Sequence, residues 1–315
     1  MIASASTTTD RIHGVAEVAR PPLPRARTLA WSVRRELWEH RWILIGPLPA
    51  AFILIATSAI GAIFAPERIS ELLALGAERR HDLIARPYVL TSGMVAMGVF
   101  FASVVYCLEA LQSERRDRSI LFWKSLPVSD TTVVLSKACI PLVVLPLLVF
   151  VVSLGVQGAR LLMSSLALLA TGGHPMALWS ELRLLDMPIV TLYGVVVMTV
   201  MYAPIYGWLL MVSAWARRLA ALWALLIPYG IVAGERMVFG HSRLLEFIWD
   251  GLILGAYTRA FGLDVKGTSP RPVIDRVAQL DPIAFLGQPG IWIGLALTAA
   301  FLFIAIRLRS DREPT

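Results

Sequence analysis

Charge is scarce in this chain of 315 residues: 16% are Asp, Glu, Lys or Arg, 57% are hydrophobic, and the mean hydropathy is +0.68. A soluble globular protein carries about 25% charged and roughly 45–50% apolar residues, so this balance excludes an ordinary water-exposed fold and indicates an integral membrane protein. Cysteine is limited to Cys107 and Cys139. Both fall in apolar runs and read as small buried hydrophobes, not as a disulfide or metal pair. Lysine occurs only as Lys124, Lys137 and Lys266, and none follows a Gly-rich loop. That excludes the G-x-x-x-x-G-K-[ST] cradle for ATP phosphates. His13, His40, His81, His174 and His241 are scattered and form no H-E-x-x-H, so no metal site is expected. There is no G-x-S-x-G elbow, and the apolar runs hold no carboxylate pair for an intramembrane hydrolase. Only Glu109 and Glu235 stand at run ends, where intramembrane ionisable groups are worth weighing for transport. The expectation is a non-enzyme with no catalytic residue, no metal and no cofactor of its own.

What the chain does have is long uncharged runs: Trp42 to Phe64, Tyr88 to Leu108, Ala138 to Ala159, Met187 to Ala216, Leu219 to Gly234 and Pro282 to Ile306. A spanning helix needs roughly 20 apolar residues. The reading is an all-α membrane protein with six spans at about 42–64, 88–111, 132–158, 187–214, 218–236 and 286–307. The fifth run is the shortest and ends against Glu235-Arg236. Residues 1–26 read as a disordered polar tail, and 27–310 as one transmembrane domain. No cleavable signal peptide is expected, because the first forty residues are polar and contain Pro21, Pro22 and Pro24.

Six spans put both termini on one side. Sixteen Lys and Arg fall on that side, crowded into short segments beside span ends, against twelve spread over the longer opposite loops. The positive-inside rule then makes both termini cytoplasmic. The net charge of +7 is explained by this topology against an anionic leaflet, so no nucleic-acid partner is expected. Arg27 to Arg41 reads as an interfacial helix, with Trp31 and Trp38 at headgroup level and Arg34 and Arg35 beside them. The alternative is a plain extension of the first span.

Between the runs, residues 65–87 read as a solvated cover, and Leu161 to Thr171 either extends the third helix or lies along the outer surface. Segment 235–281, with Pro270, Pro272 and Pro282, suits a re-entrant or interfacial helix pair. In the fourth run Met198, Tyr202 and Tyr206 share one helical face, and Tyr193 lies upstream; with Pro204 they make a possible amphipathic substrate path. Ordinary packing around a proline kink is the competing explanation.

The segment from Leu111 to Thr131 is the most informative. A charge cluster, Glu114, Arg115, Arg116, Asp117 and Arg118, precedes Ser119-Ile120-Leu121-Phe122-Trp123-Lys124. It closes with Pro127, Ser129 and Asp130, which signal the start of a new helix. This fits a short amphipathic helix beneath the membrane, open to a soluble partner. The stretch Glu114 to Ser129 resembles the cytoplasmic loop of bacterial ABC-2 type transporter permeases, in which an E-R-x-x-x-[ST]-x-x-x-x-x-S-L-P-[VI]-S kind of pattern follows the second span. The motif covers these residues; the rest of the chain is similar in layout only, and the long segment 160–186 departs from it.

The resemblance implies a coupling helix over Arg118–Leu126, in a 113–127 loop that docks on a separate ATPase subunit, which would bind ATP and Mg. Phe122 and Trp123 would be its anchors and Arg115, Arg116, Arg118 and Lys124 its charged rim, with Glu114 and Ile120 as further interface residues. The Arg27–Arg41 helix would be the family's elbow helix. A second permease copy or homologous permease and membrane lipids are the further partners implied, in a bacterial inner membrane. The function implied is export of an amphipathic or lipid-like substrate. Two other readings stay open from the residues: a non-transporting anchor or sensor that recruits a soluble partner, and an intramembrane lipid-modifying enzyme.

Overall fold

In the computed structural model, residues 25–63, 75–113, 129–170, 172–216, 218–263 and 273–311 are described; the Glu114–Lys124 cluster of the proposed coupling helix lies outside them. Among the described residues every regular element is helical, and six helices are long and apolar enough to cross a membrane. The chain is a multi-pass membrane protein.

Helix α1 (Arg25–Glu39) turns Val33 and Leu37 toward the core and leaves Trp31 and Trp38 exposed. Short α2 (Trp42–Ile45) and α3 (Pro47–Ile63) together make the first span. Helix α4 (Ala77–Glu109) is 33 residues long and contains Pro87. The expected cover over 65–87 is thereby corrected in its second half, because 77–87 is continuous with the second span. Burial explains the extension: Ala85 and Tyr88 pack with Leu178, Leu182 and Val273. Apolar burial of this kind, about 25 cal/mol per Å², outweighs the weak helical signal of a charged segment.

Helix α5 (Asp130–Cys139) starts at the expected place, with the Ser129 hydroxyl accepting from Thr132 N at 3.3 Å. A wide turn over Ile140–Val144 follows, at Pro141, whose missing N–H cannot complete the ladder. Helix α6 (Leu145–Ala170) then carries the third span on through the 161–170 patch, the first of its two expected placements. Helix α7 (Met176–Glu181) leads to α8 (Asp186–Trp215), the fourth span.

Helix α9 (Ala220–Phe239) follows Leu219, which takes a left-handed conformation at φ 54°. The fifth span runs to Phe239, three residues beyond the expected 236, and closes at Gly240, whose φ of 75° is the left-handed C-terminal cap glycine allows. Glu235 is therefore inside the last turns, where its Oε2 accepts from Ser242 Oγ at 2.7 Å and Leu244 N at 3.0 Å.

Between the fifth and sixth spans lie α10 (Arg243–Glu246), a wide-turn segment Phe247–Ile253, α11 (Leu254–Ala260), a single turn Val277–Gln279 and α12 (Pro282–Leu286). Helix α13 (Pro289–Ser310) is the sixth span, beginning later than the expected 286 because Gln288 breaks the run. Helix α8 is the hub, with half of its most apolar window buried, against 6% for α9. It meets α13 closely: a Cβ added at Gly207 would lie 3.3 Å from the Thr298 backbone.

Candidate functional site

Two arrangements carry chemistry. One surrounds the ends of the 114–128 segment. Leu111 N and Gln112 N, at its N-terminal stem, both donate to Ser213 Oγ on α8 at 3.1 Å. At its C-terminal stem, Asp130 Oδ1 accepts from Arg309 Nε on α13 at 2.8 Å. Two turns further on, Lys137 Nζ lies 2.8 Å from Glu36 Oε1 on α1. Both side chains are almost wholly buried. Tyr106 of α4 donates its hydroxyl to Glu36 Oε2 at 3.2 Å, and His40 stands edge-on to the Tyr106 ring. Breaking a buried pair of this kind by removing one partner costs about 3–5 kcal/mol. The stems are thus tied to α1, α8 and α13.

Glu36, Glu39 and His40 also bring possible metal-ligand atoms within 4.8 Å of one another. The ammonium of Lys137 already occupies the Glu36 carboxylate, so a cation here would compete with it.

The other arrangement is a cavity of about 130 Å³ among α4, α6, α8 and α11. Its wall is largely apolar and aromatic, with Met187, Met198, Tyr257 and Phe261 among its members. Polar atoms enter from three sides. Gln157 Nε2 donates to Ser92 Oγ at 2.8 Å and to Tyr88 O at 3.3 Å, and lies 3.5 Å from Thr191 Oγ1. Its Oε1 is buried without a hydrogen-bond partner among the described residues. Asp275 enters from the segment before the Val277–Gln279 turn, buried, with His81 Nε2 at 2.8 Å from its Oδ2. Behind the wall, Arg160 donates to Pro87 O at 2.7 Å and lies over the Tyr88 ring. A smaller void of about 40 Å³ adjoins, sharing Ala96, Val195 and Met198 and reaching Tyr202, Tyr206 and the Pro141 turn.

The residues expected to line a substrate path divide here. Met198 borders both voids, and Tyr202 and Tyr206 border the smaller one. Tyr193, nearly opposite on the helix, instead packs edge-on against Phe261 and Phe285. On α1, Arg34 lies over the Trp31 ring and Arg35 pairs with Glu39. Glu109 is exposed at the end of α4. Cys107 is buried and Cys139 partly so, both free.

Sequence reasoning overlooked Glu36, Lys137, Ser213, Arg309, Gln157 and Asp275. Signals existed for three of them. Glu36 shares the face of Val33 and Leu37, Lys137 sits beside the third apolar run, and Gln157 is the only amide inside that run. Comparison with known protein families, curated proteins and solved structures finds no match to this chain, so the functional reading rests on these residues and their geometry.

Proposed function

We propose that this chain is the permease subunit of an ABC-2 type exporter, moving an amphipathic or lipid-like substrate, with a separate ATPase subunit docked on the 113–127 loop. The observation that carries the reading is the clamping of that loop's stems. Ser213 holds the end of α4, and Arg309 and Glu36 hold α5, so displacement of the loop is passed to α1, α8 and α13. Helix α8 also forms part of both voids, through Met198. The lever and the path therefore meet on one helix.

In this reading α1 is the elbow helix, lying in the headgroup layer with Trp31 and Trp38 outward, which suits aromatic residues at a membrane interface. Both termini and the loop face the cytoplasm of a bacterial inner membrane. The partner subunit supplies ATP and Mg chemistry; this chain holds the path and transmits the movement. A second permease, identical or homologous, completes the unit. The thin packing of α9 supports such a partner: Gly230 and Gly234 form a small-xxx-small pair with open space around both, the pattern by which spanning helices approach closely.

Trp123→Ala in the assembled complex tests the docking. Loss of a central interface Trp costs about 2 kcal/mol or more, roughly thirty-fold in docking. The expected result is normal membrane insertion with ATP hydrolysis uncoupled from substrate flux. Unchanged flux would contradict the docking assignment.

A further inference from the structure

We propose that the larger cavity binds an amphipathic molecule through a protonated amine head group, held by Asp275 and Gln157. The assignment deepens the transport reading and rests on it for the purpose of binding. Two features choose the head group. Gln157 has two amide hydrogens, taken by Ser92 Oγ at 2.8 Å and Tyr88 O at 3.3 Å, which leaves its Oε1 as an acceptor with no donor among the described residues. A buried acceptor without a partner costs roughly 1–3 kcal/mol, which a donating ligand recovers. Among the described residues Asp275 is the only acidic or basic one in the wall, and it too can only accept when ionised. A ligand that donates from a positive group satisfies both; a carboxylate or phosphate head would meet two acceptors and a like charge.

The wall agrees with this choice. Tyr257 and Phe261, whose rings touch each other, are both in the wall, and ammonium groups are attracted to aromatic rings. His81 Nε2 lies 2.8 Å from Asp275 Oδ2 and Arg276 lies 4.0 Å from its Oδ1, half exposed, so the ligand's ammonium shares this carboxylate with them, while Arg160 sits behind Tyr88. The apolar tail has a place as well. Met198 and Val195 continue into the smaller void, whose wall is nearly all apolar or aromatic. Flexible thioethers adapt to chains of varied shape.

The test uses the full-length protein in phosphatidylcholine nanodiscs, with tritiated octylammonium as probe and octanol and octanoate as competitors. Saturable binding above empty discs is expected, with unlabelled octylammonium competing about ten-fold more strongly than octanol, and octanoate weakest. Ten-fold corresponds to about 1.4 kcal/mol. Asp275→Asn should abolish the preference for the amine over the alcohol, and Gln157→Leu should weaken amine binding about ten-fold. Because Asp275→Asn loses the His81 contact and could fail to fold, Met198→Trp serves as a second variant, filling the wall and abolishing binding without lowering the melting temperature. Absence of saturable binding, or an amine preference that survives Asp275→Asn, overturns the assignment, as does unaltered binding in Met198→Trp. If octylammonium binds as expected but no ATP-driven flux exists, the site stands and the transport reading falls. If flux occurs with no amine binding, the head-group assignment falls alone.

Discussion

Lys137 and Glu36 are 101 residues apart in sequence, yet their side chains meet at 2.8 Å in the interior, joining the N-terminal helix to the third span. Each is at most 6% exposed, so neither charge can be screened by water if the other is removed. Lys137→Met alone is expected to destabilise the protein by about 3–5 kcal/mol, whereas the double variant with Glu36→Leu should recover most of the loss. Thermal unfolding in detergent across the four members of the cycle measures this. Equal losses in the single and double variants would contradict a coupled pair.

Arg309 and Asp130 form the other long-range clamp, with Arg309 buried and Asp130 partly exposed. Arg309→Met should cost about 1.5–3 kcal/mol, the range for a hydrogen bond to a charged group. If the stems transmit movement, the same variant should also reduce ATP-driven flux by more than it reduces the folded fraction. Flux that merely tracks folded protein would make the contact structural only.

Gly207 and Gly98 separate close helix approach from open space. A side chain at Gly207 would press on the Thr298 backbone, while nothing lies within 4 Å of a Cβ at Gly98. Gly207→Val is expected to lower stability by about 1–3 kcal/mol through overpacking. Gly98→Ala should be neutral or stabilising by up to about 1 kcal/mol. Melting temperatures of the two variants decide the matter, and a tolerant Gly207 would mean that α8 and α13 pack less tightly than described.

Six spans, their approximate limits and the helix start at Asp130 were legible in the sequence because each depends on local composition and capping. The run from Ala138 to Ala159 needs no tertiary knowledge to read as a span. The early start of α4 was not legible. Residues 77–87 look solvated until Ala85 and Tyr88 meet Leu178 and Leu182, contacts made across about 90 residues. The same is true of Asp275, whose place in the cavity wall depends on how the segment between the fifth and sixth spans folds back. Periodicity grouped Met198, Tyr202 and Tyr206 on one face, but it could not say which helices close that face into a void.

Leu219 is the only described residue other than glycine with a positive φ, at 54°. A left-handed conformation costs an ordinary side chain roughly 1–2 kcal/mol. Leu219→Asn, which tolerates that region and can cap α9, should therefore raise thermal stability by about 1 kcal/mol. A decrease would show that the Leu219 side chain contributes more through its surroundings than its backbone costs.

The central claim is that a separate ATPase drives this chain, and purification from native membranes in mild detergent tests it most directly. Mass spectrometry of the purified complex should find a soluble subunit bearing a P-loop in fixed stoichiometry with this chain. That subunit should be lost or depleted when Trp123 is replaced by Ala. A complex stable across detergents and devoid of any ATPase would contradict the account and favour an anchor that recruits some other soluble partner.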